Sequence, residues 1–159
     1  MKSFRKNQSG FTLIELLIVV IIVAVLATVG VPLLSGNVER AKKTEADASL
    51  GTVRTAMRAQ QAENGSFPII GDGVKVVAAA IGINAKDLNG RYFVDDNYTF
   101  KGATTGTAYC ASVTGAAAGT AAEIAAGTKA PKSGVGLIRS LNQNGDLFDS
   151  NDCSGTPVN

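Results

Sequence analysis

"SGFTLIELLIVVIIVAVLATVGVPLL", residues 9–34, decides how the rest of the chain is read. The 19 residues from Leu16 to Leu34 carry no charge. A bilayer core is crossed by about 20 apolar residues in a helix, so the run predicts one membrane-length helix. Lys2, Arg5 and Lys6 precede it and hold its N-terminal side in the cytoplasm. A cleaved secretory signal has an apolar region of roughly 7–15 residues followed by small residues. Here the run is longer, and the small residues Ser9 and Gly10 come before it. A cut at that point leaves the apolar segment on the mature protein.

Glu15 stands just inside the run, and two readings are open. A carboxylate near a helix end sits at headgroup level, tolerated and idle. Deeper, it would cost about 2.5–3.5 kcal/mol. On the second reading, a cut after Gly10 gives Phe11 a free, positive amine. Glu15 then lies one helical turn along on the same face. Amine and carboxylate pair within one molecule or between axially offset neighbours, because a matched buried pair is tolerated where a lone charge is not. Glu15 would then set the register of assembly.

Gly10, then Phe-Thr-Leu-Ile-Glu-Leu, then an aliphatic run to Pro32 resembles the N-terminus of type IV pilins and the related type II secretion pseudopilins. The resemblance covers Gly10 to Pro32 and the basic leader. It implies a leader over residues 1–10, cleavage by a prepilin peptidase between Gly10 and Phe11, and methylation of the Phe11 amine. It implies assembly through Phe11, Glu15 and Pro32 into a homo-oligomeric helical filament. The subunits would wait in the inner membrane, be handled by a pilus or secretion assembly machinery, and end as a surface filament. Pro32 cannot donate to the Thr28 carbonyl. Either a kink that aims the helix or a segment that unwinds in an extensible filament follows.

Past residues 11–34, an amphipathic helix is predicted over residues 35–64, with Gly65 as its stop. At 100° per residue Val38, Ala41, Ala48, Thr52, Val53 and Ala56 share one face. Arg40, Lys43, Asp47, Arg54 and Arg58 share the other. Glu45 falls on the apolar face without explanation, and Glu39 and Lys43 form a favourable i,i+4 pair. At 1.5 Å per residue the whole helix spans roughly 80 Å, more than one small domain covers. Its first half therefore needs lipid or other copies of the chain.

Residues 65–159 are expected to form an α+β head. "NGSFPIIGDG" is turn chemistry, and "ENGSFP" resembles the end of the long helix in pilins and pseudopilins. Val74–Ile83 reads as a short helix. Arg91–Phe100, Ala108–Gly115, Gly134–Leu141 and a last stretch around Asp146–Phe148 read as antiparallel strands packed on the helix's second half. Thr114–Gly134 is low in complexity, with one short helix at Ala121–Ala126. Cys110 and Cys153 are the only two cysteines, and in an exported chain such a pair reads as one disulfide. A bridge that ties down the C-terminal region also resembles the pilin head.

Function classes narrow quickly. There is no histidine, which removes histidine acid–base catalysis and histidine metal ligation. No cofactor is expected, and no enzyme. A membrane-anchored periplasmic enzyme or binding protein is the distant alternative, without a Gly-x-Ser-x-Gly motif or free thiol to support it. Asn142, Asn144, Asp146, Asp149 and Asp152 offer oxygen ligands for calcium, but no glutamate closes an EF-hand loop. An acidic hairpin and tail is the plainer reading, and no metal is assigned. Arg40, Lys43, Arg54 and Arg58 make a basic stripe, but Glu39 and Asp47 interrupt it and no aromatics interleave, so nucleic acid is not expected as a direct partner. The leading expectation is the major subunit of a type IV pilus, serving adhesion, motility or DNA uptake. A type II secretion pseudopilin or a minor pilin is the alternative.

Overall fold

The computed structural model describes residues 10–158 except Ala80, Ala103, Thr128 and Pro131. The basic leader residues Lys2, Arg5 and Lys6 lie outside the described residues. The chain divides into two units after Glu39, and the long helix α1, Leu13–Asn64, runs through that division. In the first unit every described residue is exposed.

In the second unit, Ala46, Leu50, Val53 and Met57 form the buried stripe of α1, each with no exposed surface. This corrects the face expected from the sequence. Val53 is on it and Ala56 is half-buried, but Val38, Ala41, Ala48 and Thr52 are exposed. The reason is area: alanine and threonine carry little apolar surface, and the large Leu50 and Met57 set the orientation. The helix ends where Gly65 adopts φ 76° and donates its N–H to the Gln61 carbonyl at 2.8 Å. A left-handed residue at that position closes a helix and favours glycine.

Four strands follow in a meander: β1 (Tyr98–Phe100), β2 (Cys110–Thr114), β3 (Ile138–Asn142) and β4 (Leu147–Phe148). All neighbours are antiparallel, in the order β1-β2-β3-β4. Alternation sorts the side chains by face. Tyr98 and Phe100 of β1, Ala111 and Val113 of β2, and Arg139 and Leu141 of β3 are all buried, with Val113 opposite Arg139 and Ala111 opposite Leu141. The core also holds Phe67 and Tyr109, whose rings meet edge to face at 5.0 Å. The architecture is the expected α+β pilin fold: a long helix, apolar at its start, with a small antiparallel sheet packed against its second half.

Three local expectations change. Among the described residues of Val74–Ile83 the helix is reduced to a 3-10 turn, Val77–Ala79, because the residues before it pair with β1 instead. Val76 donates to Tyr98 O at 3.0 Å, and Phe100 donates to Val74 O at 2.9 Å. The expected strand Arg91–Phe100 shrinks to Tyr98–Phe100, behind a 3-10 turn at Asp95–Asn97. Lys43, expected to pair with Glu39, lies 3.9 Å from Asp149. Among the described residues the head also holds two short helices, α2 (Ala85–Leu88) and α3 (Ala121–Ala125).

Glu45 explains the shortened strand. Its Oε1 accepts the N–H groups of Tyr92 at 2.8 Å and Phe93 at 3.0 Å, and its Oε2 accepts that of Arg91 at 3.1 Å. Backbone donors captured by a carboxylate cannot enter a ladder. Charged hydrogen bonds are worth about 1.5–3 kcal/mol each, so a glutamate on this face is a clasp and not a flaw. Gly90 makes room for it, since a Cβ there would collide with Glu45 Oε1.

Candidate functional site

The N-terminal segment is where the sequence concentrated its signal. Glu15 Oε2 accepts both the Thr12 N–H and the Thr12 hydroxyl at 2.9 Å. Thr12 Oγ1 in turn accepts the Glu15 N–H at 3.3 Å. This reciprocal pair is a capping box, which satisfies donors that the first turn of a helix leaves orphaned. The sequence signal was present as Thr-x-x-Glu and passed unread. The box uses only residues beyond Phe11, so a cut between Gly10 and Phe11 leaves it intact. Both bonds to Thr12 fall on one oxygen.

Beyond the box, large apolar side chains from Phe11 to Leu34 remain exposed, from 50% at Ile18 to 87% at Leu13. The helix is long and apolar enough to cross a membrane. Leaving that much apolar surface in water is strongly unfavourable, so lipid or protein must cover it. Pro32 lies inside α1, and Gly10 has open space around it. Thr28 turns its hydroxyl back to Ala24 O at 2.8 Å, which keeps that polar group satisfied in apolar surroundings.

In the head, Cys110 and Cys153 form a disulfide. The oxygen-rich C-terminal run is occupied with its own turn. Asn142 Oδ1 accepts N–H groups from Asn144, Gly145 and Asp146, and Asn142 Nδ2 donates to Asp146 at 2.9 Å. Asp152 accepts from the Ser154 hydroxyl, and its carboxyl is held below the usual range by that bond and the Ser154 N–H. Among the described residues, no three Asp, Glu or Cys side chains gather as a metal-holding group.

Three members of the basic stripe, Lys43, Arg54 and Arg58, meet partners inside the molecule. Arg54 donates to Asn144 O at 2.8 Å, and Arg58 donates to Gln143 O at 3.2 Å, so both hold the β3–β4 turn. Arg139, 5% exposed, grips Asp47 through Nε at 2.8 Å and Nη2 at 2.9 Å, and Asp149 through Nη1 at 2.7 Å. Sequence reasoning missed Arg139. Its signal was an arginine in the strand-like run Leu137–Leu141, on the same face as Leu137 and Leu141, with an aspartate on the facing helix.

Comparison with known proteins agrees with this geometry. Residues 5–31 match the family profile of the prokaryotic N-terminal methylation motif. The chain is similar to "Type II secretion system core protein G" of Klebsiella michiganensis, 27% identical over 94 residues, 59% of this chain and 64% of that protein. The protein of the same name from Escherichia coli K12 is 34% identical over 74 residues, 46% of this chain and 51% of that one. That from Vibrio cholerae is 35% identical over 77 residues, 48% of this chain and 52% of that one. The matches thus span between about half and two-thirds of those relatives' length. With its methylation motif, long apolar-headed helix and small antiparallel sheet, the chain belongs to the superfamily of type IV pilins and type II secretion pseudopilins.

Proposed function

We propose that the chain is a non-enzymatic, pseudopilin-type structural subunit. It is anchored in the inner membrane by α1, trimmed by a prepilin peptidase between Gly10 and Phe11, and methylated on the Phe11 amine. It then polymerises through its N-terminal helix with secretion machinery of the type II kind. The observation that carries this reading is the exposed apolar surface from Phe11 to Leu34. Lipid covers it before assembly and neighbouring helices cover it afterwards. Because lipid is already apolar, moving from one to the other depends on packing and charge matching. Glu15 supplies the match: one carboxylate oxygen caps its own helix through Thr12, and the other meets a neighbour's ammonium. The similarity to core protein G favours a periplasmic secretion filament over the major pilus subunit expected from the sequence.

One observation favours the second reading, a type IV pilin. The Cys110–Cys153 bridge ties down the C-terminal region as in the pilin head. Deleting the gene separates the two. A pseudopilin leaves exported enzymes stranded in the periplasm with surface fibres unchanged, and a major pilin removes the fibres. The mass of the protein from membrane and sheared-surface fractions tests the shared part. A chain beginning at Phe11 with one methyl group is expected, and a mature protein still beginning at Met1 would overturn both readings.

A further inference from the structure

The outer edge of β4 has a cover, and the cover is tethered by the disulfide. Asn142 donates to Asp146 O at 3.2 Å, while Ser140 faces Phe148 and Leu141 faces Leu147. Hydrogen-bonded and non-bonded pairs alternate along an antiparallel ladder, so the Leu147 carbonyl points away from β3 to the outer edge. Val158 donates to that carbonyl at 2.8 Å. Residues 154–158 are all exposed, so little apolar burial holds this strap. It leaves the head at Cys153, which adopts φ 55°, a left-handed conformation unusual for a residue with a side chain. Cys153 is fixed there by its bond to Cys110 and by its N–H, which donates to the buried Ser140 Oγ at 3.1 Å.

A cleft of about 310 Å³ opens on the same bond, lined by Lys101, Thr105, Tyr109, Cys110, Asn142 and Cys153 among others. Cys110 is buried and Cys153 half-buried, which makes the Cys153 sulfur the reachable one. Lys101 donates its backbone N–H to Cys110 O at 2.9 Å and is one of the residues lining the cleft. Thiol–disulfide exchange needs an accessible sulfur and a stabilised leaving thiolate.

We propose that this cleft is a thiol-exchange site and that the Cys110–Cys153 bond is the latch of the C-terminal strap. The co-reactant is a dithiol of the oxidoreductase class. Its thiolate attacks Cys153 Sγ and forms a mixed disulfide, and Cys110 leaves as a thiolate and takes up a proton. The second thiol of the donor then attacks the mixed disulfide, so the dithiol is oxidised and Cys153 is released as a thiol. With the latch open, Cys153 relaxes from its left-handed conformation and Val158 leaves Leu147. The four-stranded ladder stays, because its other hydrogen bonds do not involve either cysteine side chain.

Amide exchange on the full chain in detergent, with dithiothreitol as the dithiol probe, tests this. On reduction, protection of the Val158 N–H is expected to fall at least tenfold. Protection of Val113 and Leu141, each paired across β2 and β3, is expected to change less than threefold. A Val158 N–H that stays protected after reduction overturns the strap, and loss of β2–β3 protection at the same step overturns the latch by making the bond a prop of the whole head. Lys101→Gln tests the cleft separately: the rate of reduction should fall several-fold, and an unchanged rate overturns the leaving-group argument. Cleavage and methylation at Phe11 are not touched by any of these changes, so failure here leaves the assembly reading standing.

Discussion

Glu45 accepts the Tyr92 backbone N–H at 2.8 Å across 47 residues of sequence. One acidic side chain on the helix thereby decides where β1 begins. Glu45→Gln keeps the shape and drops the charge, and should destabilise the head by about 1.5–3 kcal/mol. Gly90→Ala places a methyl group against the same carboxylate and should cost about 1–3 kcal/mol. Urea unfolding of the full chain in detergent measures both. Because the two changes break one contact, the double variant should fall short of their sum.

Arg139 is the next most sensitive position. It is a buried cation with a carboxylate on α1 and another just past β4. Asp47→Asn leaves that cation short of a partner and should cost about 3 kcal/mol or more. Arg139→Lys keeps the charge but loses the two-pronged grip on Asp47. It should fall between wild type and Asp47→Asn in the same unfolding measurement.

A pH prediction follows from α3. Lys129 and the Thr120 N–H and hydroxyl hold the Glu123 carboxyl down to about 2. A depressed folded pKa contributes stability above the unfolded value, about 4.3 for glutamate, and loses it as pH falls through the folded value. The α3 cap should therefore persist through pH 4 and open towards pH 2. The side-chain carbon shift of Glu123 under acid titration reports the midpoint. Lys129→Met should move it up towards the ordinary range.

Two substitutions separate the roles of Glu15. Thr12→Val removes the hydroxyl of the capping box, a loss of about 1 kcal/mol at the helix start. Glu15→Gln keeps an acceptor for Thr12 and removes the charge. If charge matching drives assembly, polymer yield should collapse in Glu15→Gln and stay near normal in Thr12→Val. Equal losses would make capping the whole of its role.

Much of this architecture was legible in the sequence. Gly65 fixes the C-terminal end of α1, because helix termination by a left-handed glycine is local chemistry. The four strand regions and the two-cysteine bridge were legible for the same reason: alternation, turns and thiol counting need no tertiary knowledge. The buried face of α1 was misplaced because face assignment weighted positions equally, whereas burial follows the size of Leu50 and Met57. Arg139–Asp47 and Glu45–Tyr92 were invisible because each joins residues far apart in sequence, and single-residue patterns carry no pairing. Thr12–Glu15 differs from these pairs: Thr-x-x-Glu is a local capping signature that the sequence alone displays.

Both outer rails of the sheet are closed by the chain itself: residues 73–76 lie along β1, and the C-terminal strap lies along β4. Open rails let crowded β-proteins fuse into aggregates. Stored side by side in a membrane, heads sealed in this way stay separate folded bodies. On the assembly proposed above, cohesion between copies falls to the apolar helices and not to bare strand edges.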